Sequence, residues 1–86
     1  MDISGWRRKI DEIDEKILEL LNKRAECAVA IGAIKRENKM PVISKDRENE
    51  IMQRIIKRNT GPLSESQIYE VFSLIIEHSR QLQNTK

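Results

Sequence analysis

The sequence predicts an all-α chain of three helices, one long and two shorter, intertwined with a second copy in a helical homodimer. Three observations lead to the helices, and their lengths lead to the dimer. Apolar residues recur at alternating steps of four and three along most of the chain, the period of one helix face. No segment alternates with period two over a useful length, so strands are not expected. Helix breakers cluster only at residues 39–43 and 59–62, which divides the chain into three segments.

The first helix is expected over residues 5–38. Its stripe reads Trp6, Ile10, Ile13, Ile17, Leu20, position 24, Cys27, Ile31 and Ile34, and only Gly5 and Gly32 interrupt good helix formers. A continuous helix of that length measures about 51 Å, with Gly32 as the point where a bend is available. Lys39-Met40-Pro41-Val42-Ile43 ends it, because Pro41 lacks a backbone donor and pushes Met40 out of the helical region. Ser44 is a natural N-cap for a second helix, 45–58, with Asp46 and Glu48 in its first turn and a stripe of Ile51, Met52, Ile55 and Ile56. Asn59-Thr60-Gly61-Pro62 stops that helix. The third, 65–83, opens on a capping box of Ser64 and Gln67, flanked by a Leu63–Ile68 hydrophobic staple. Ile68, Phe72, Ile75 and Leu82 continue its stripe.

These lengths constrain assembly. The second and third helices together extend about 50 Å, so each part of the first helix gets at most one neighbour from its own chain. A compact globule of this size has a radius of gyration near 12 Å and is roughly 31 Å across, which a 51 Å rod overshoots. A closed symmetric dimer with the long helices packed together is the simplest way to bury the stripe. The alternative is a bend at Gly32 that folds the rod into a compact monomer.

Composition excludes several function classes. The 86 residues form a single domain, 38% hydrophobic, with thirteen Ile and six Leu and only three aromatics, Trp6, Tyr69 and Phe72, leaving little to stack on bases. Sixteen Lys and Arg against 14 Asp and Glu leave +2, too small a field for nucleic acid. Anion specificity must therefore come from local placement. One cysteine, Cys27, makes no internal disulfide, and neither a membrane-length apolar run nor a signal-peptide core is present, so the expected setting is cytoplasmic, without a membrane partner. No Cys/His cluster, Gly-rich phosphate loop or GxSxG elbow occurs, and no metal or cofactor is expected.

Two polar residues stand where the stripes call for aliphatics: Arg24 in the first helix and Ser79 in the third. Arg24, Ala28, Ile31 and Lys35 share one helical row, so two cations whose backbones are about 16 Å apart can converge on one small molecule. Ser79 and Gln83 share a face at i, i+4, and Arg47 and Glu48 sit beside a helix N-terminus that favours anions. Each has a plainer reading. Arg24 could snorkel or pair, Lys35 could complement a helix dipole, Arg47 and Glu48 could form a surface pair, and Ser79 and Gln83 could bond across an interface. His78 reads as structural, and Asp11 and Asp14 are expected to pair with Arg7, Arg8 or neighbouring Lys. Coincidence favours function: inward cations and neutral hydrogen-bonders without enough acids to neutralise them want an anionic ligand.

The run Trp6-Arg7-Arg8-Lys9-Ile10-Asp11-Glu12-Ile13-Asp14, then Leu20-Leu21-Asn22-Lys23-Arg24, Lys35, Pro41-Val42, Asp46-Arg47-Glu48 and Ile75-Ile76-Glu77-His78-Ser79, resembles the all-helical (type II) chorismate mutases over about residues 6–83. The resemblance implies that Arg7 and Arg24 bind the two substrate carboxylates. It also implies that Lys35 and Gln83 act at the ether oxygen, Glu48 meets the ring hydroxyl, and Arg47 and Ser79 support the bound acid. Ser44 departs from relatives that carry an acid there, and its backbone remains available to the ligand. The implied reaction converts chorismate to prephenate in aromatic amino-acid biosynthesis, without a cofactor.

Arg7 precedes Arg24 by 17 residues, about 25 Å along one helix and roughly 100° around it. One small dicarboxylate cannot touch both on one chain, so a shared ligand requires Arg7 from the partner. Two other readings are an isochorismate pyruvate-lyase with the same carboxylate clamps and a non-catalytic helical dimerisation or effector-binding module.

Overall fold

The computed structural model describes residues 1–84 and contains three helices, α1 (Ile3–Glu37), α2 (Lys45–Arg58) and α3 (Glu65–Gln83), with no strand among the described residues. α1 begins two residues earlier than its stripe indicates. Asp2 caps it, accepting from the Gly5 amide at 3.0 Å, a side-chain signal that lies outside the apolar pattern. The helix is unbroken through Gly32, so the bend available there is not used to end it.

α1 stops before Pro41 is reached. Lys39 adopts φ 54°, the left-handed region, while the Lys39 amide donates to Arg36 O at 3.3 Å and the Met40 amide to Lys35 O at 2.8 Å. This pair of bonds is a Schellman motif, built on a lysine where glycine is usual. α2 is capped by Ser44, whose hydroxyl accepts from the Arg47 amide at 3.3 Å. α3 opens on the full capping box: the Gln67 amide donates to Ser64 Oγ at 3.1 Å, and the Ser64 amide to Gln67 Oε1 at 2.9 Å.

α3 is the central element and packs against both α1 and α2, which have no comparable contact with each other. Leu21 and Leu74 line one end of the α1–α3 seam while Gly32 meets Gln83 at the other, so these helices run in the same direction. Against α2, α3 runs antiparallel: Ile51, Met52 and Ile76 form the core, flanked by Ile55, Ile56 and Phe72. On α1 only Ala28 and Gly32 are buried, small residues that let α3 approach closely.

The chain measures 55 × 25 × 15 Å with a radius of gyration of 15.9 Å, well beyond the compact value of about 12 Å for its length. The N-terminal half of the α1 stripe is uncovered: Trp6, Ile10, Ile13, Ile17 and Leu20 are 48–62% exposed. Asp11 and Asp14 make no ion pair among the described residues, contrary to expectation. Exposed helical pairs of that kind are worth only a few tenths of a kcal/mol, too little to fix long side chains. The observed pairs are Lys23–Glu19 at 3.2 Å, Arg47–Glu50 at 2.5 Å and Arg80–Glu48 at 2.8 Å.

Candidate active site

The C-terminal half of α1, the connection around residues 40–44, α2 and α3 enclose an open cavity of about 560 Å³, within the range of small-ligand sites. Its basic side chains are Arg24, Lys35, Arg47, Arg54 and Arg80; its one acid among the described residues is Glu48.

Arg24 enters from the inner face of α1, half-buried, and donates from Nη1 to the Ser79 hydroxyl, which in turn donates to Ile75 O at 3.0 Å. Burial first, then the nearby Arg47 and Arg54 cations, hold the Arg24 guanidinium below its ordinary pKa. No acid pairs with it among the described residues. An anion bound beside it would offset both causes.

Lys35 lies three turns along the same face. Its ammonium donates to Val42 O and to Gln83 Oε1, each at 2.8 Å. The third ammonium proton remains, and the Gln83 amide has its oxygen committed, so its NH2 is the end left to donate. Gln83 is held by its backbone as well, with Arg36 Nη1 donating to Gln83 O at 2.8 Å. Space for this arrangement comes from Gly32: a Cβ there would lie 2.5 Å from Gln83 O and 2.7 Å from Gln83 Cα. Gly32 therefore permits a close approach of α3 to α1.

On α2, Glu48 accepts from Arg80 Nε at 2.8 Å and Nη2 at 3.4 Å. Arg47 lines the same cavity while pairing with Glu50. Ser44 also lines it, although its hydroxyl is engaged in capping α2. Seven residues singled out from sequence, Arg24, Lys35, Ser44, Arg47, Glu48, Ser79 and Gln83, thus share one cavity. Arg7 is not among its lining residues; it is exposed on the N-terminal half of α1. His78 lies outside it, with Nδ1 3.3 Å from Gln81 Oε1.

Arg36, Arg54 and Arg80 escaped the sequence reading. Arg54 follows Arg47 by seven residues, two turns along the same face, and that spacing was the available signal. Arg36 and Arg80 each sit one residue beyond a polar residue already noticed, turned toward the neighbouring helix. Cys27 belongs to the α1 stripe and borders the cavity as an exposed free thiol.

Fold and cavity define a class: an all-helical protein whose inner face presents cations, an amide and one clamped carboxylate to a cavity of small-ligand size. The chain belongs to the type II chorismate mutase family, whose profile it matches across residues 6–84. It is 37% identical over 78 residues to the chorismate mutase of Methanocaldococcus jannaschii, covering 90% of this chain and 79% of that one. A bifunctional chorismate mutase/prephenate dehydratase from Aquifex aeolicus is 47% identical over 58 residues, covering 67% of this chain. The chain spans only 16% of the length of that bifunctional relative, and 22% of another from Pseudomonas aeruginosa. Among solved structures, a chorismate mutase (form II) from Thermus thermophilus superposes with a TM-score of 0.94 at 27% identity, over 98% of this chain and 96% of that one.

Proposed function

We propose that this chain is a chorismate mutase, an isomerase that rearranges chorismate to prephenate at a site shared between two copies in a homodimer. The Lys35–Gln83 pair carries this reading. Lys35 donates to Gln83 Oε1 at 2.8 Å on the edge of a cavity lined, among the described residues, by five cations and one acid. This leaves an ammonium proton and the Gln83 NH2 side by side as donors. The rearrangement is an intramolecular Claisen reaction: the ether C–O bond breaks as a C–C bond forms, and negative charge builds on the ether oxygen. It needs no nucleophile. What it needs is a folded substrate and donors aimed at that oxygen.

In this reading Arg24 holds one carboxylate, with Ser79 fixing its fork, and Arg47 steadies the acid from the α2 side. The free ammonium proton of Lys35 and the amide of Gln83 meet the ether oxygen, and Glu48 accepts from the ring hydroxyl. Ser44 contributes through the backbone that begins α2. A millionfold acceleration requires about 8 kcal/mol. Two oriented donors at roughly 3 kcal/mol each, with conformer selection by the arginines, account for most of it.

The second carboxylate falls to Arg7 of the other copy. Arg7 flanks the stripe of half-exposed Trp6, Ile10, Ile13 and Ile17 on α1, and a second copy of the same helix is the self-complementary surface that would cover that stripe. No helix among the described residues is long and apolar enough to cross a membrane, and we read the working form as a cytoplasmic dimer with no nucleic-acid partner.

The test is incubation of the purified chain with chorismate, following loss of its absorbance and formation of prephenate. Prephenate formation that collapses in Lys35→Met supports the assignment. Salicylate plus pyruvate from isochorismate, without prephenate from chorismate, would overturn it in favour of a lyase. Binding without turnover would indicate a non-catalytic module.

A further inference from the structure

We propose that Arg80 is a positioning residue: it aims the Glu48 carboxylate into the cavity and neutralises its charge, so that an acid can face a dianionic substrate. The inference rests on the chorismate mutase reading and on the contact assigned there to Glu48.

The pair is a product of helix register. Ile76 packs against Ile51 and Met52 in the α2–α3 core. Arg80 is one turn beyond Ile76 on α3, and Glu48 is one turn before Ile51 and Met52 on antiparallel α2, so the next rung of the seam brings them together. Arg80 Nε reaches Glu48 Oε2 at 2.8 Å and Nη2 reaches Oε1 at 3.4 Å. A two-point clamp fixes the carboxylate plane as a single contact would not.

Charge gives the clamp its purpose. Glu48 is the one acid lining the cavity among the described residues, and its side chain is 25% exposed. A bare carboxylate so placed would repel the two carboxylates of the substrate in surroundings that screen less than water. Paired with Arg80, it keeps acceptor capacity, because a carboxylate offers about four lone-pair sites and the guanidinium occupies two. Oε1, with the longer bond, is the oxygen better placed to accept from a hydroxyl. Three other cations of the cavity are engaged elsewhere. Arg24 is bonded to Ser79, Lys35 to Val42 and Gln83, and Arg47 to Glu50.

A double-mutant cycle on the full chain, with kcat and KM measured for chorismate, separates this role from direct substrate binding. We expect Arg80→Met to raise KM about tenfold with kcat within about threefold, and Arg80→Lys to recover most of the loss. In a Glu48→Gln background, where the acceptor stays but the charge is gone, Arg80→Met should change KM less than about twofold. A full KM effect in that background would overturn the proposal, since Arg80 would then be touching substrate itself. So would an unchanged KM in Arg80→Met, or a loss in both Arg80→Met and Arg80→Lys that follows a lowered unfolding midpoint. A wild-type chain that leaves chorismate unconverted fails at the earlier step: it overturns the assignment of function, and the role of Arg80 with it.

Discussion

With Gln83 Oε1 held by Lys35, the amide can serve an ether oxygen only through its NH2. Gln83→Glu removes that donor whenever the new carboxyl is ionised, as it is above its ordinary pKa of about 4.3. The nearby Lys35 favours the ionised form still further. Activity of the variant should therefore rise as pH falls from 7 to 5, against a flat or falling profile in the wild type. A parallel profile in a kcat/KM titration would remove Gln83 from the reaction. Gly32 is the second residue to test, because Gly32→Ala places a methyl 2.5 Å from Gln83 O. The last turn of α3 must then move, and we expect at least about tenfold loss of kcat, since small misplacements of a donor are costly, while the helix content measured by circular dichroism stays near wild type.

The polar residues were legible where they broke a pattern. Arg24 and Ser79 stood out because each occupies an aliphatic position, and each reaches the cavity and the other. Arg80 broke no stripe. Its meaning depends on the register of α3 against α2, which a single helix period does not contain.

The ends of the helices show the same division. Ser44 and the Ser64–Gln67 box are local motifs, and each forms its expected bonds. The end of α1 differs: Pro41 marks the break, but the chain turns at Lys39, whose φ of 54° carries none of the usual glycine or asparagine signature. Lys39→Gly should relieve the left-handed strain and raise stability by up to about 1 kcal/mol. Lys39→Val should lower it by at least as much, both read from denaturant midpoints. A helix-terminating lysine that tolerates valine would show that the Schellman bonds are not what stops α1.

At the scale of the molecule, the chain is 55 Å long and half of the α1 stripe is uncovered, the surface that the proposed homodimer would bury. Helix-length arithmetic anticipated this elongation, because a straight α1 outreaches anything α2 and α3 can cover. The same arithmetic leads to the expectation of a dimer but not to its geometry, since the angle at which two copies cross depends on side-chain shape along the stripe. If Arg7 serves the other copy's site, mixing Arg7→Ala and Arg24→Ala chains restores activity. Each mixed dimer has one site with both arginines, so random exchange gives about a quarter of the wild-type rate. No recovery after subunit exchange, verified by mass spectrometry, would place both arginines' work elsewhere.

The close contact of Gln83 with Gly32 has a thermal consequence. Gln83 is the final helical residue of α3, where helices fray first, yet two cations of α1 pin it: Lys35 by the side chain and Arg36 by the backbone. Opening that one turn costs far less than global unfolding, and it would withdraw a donor while the Ile51–Ile76 core stays closed. Warming would thus silence the pocket before it melts the protein. A ligand that bridges Lys35 and Gln83 would act as a staple on the last turn, making occupancy and local order one event.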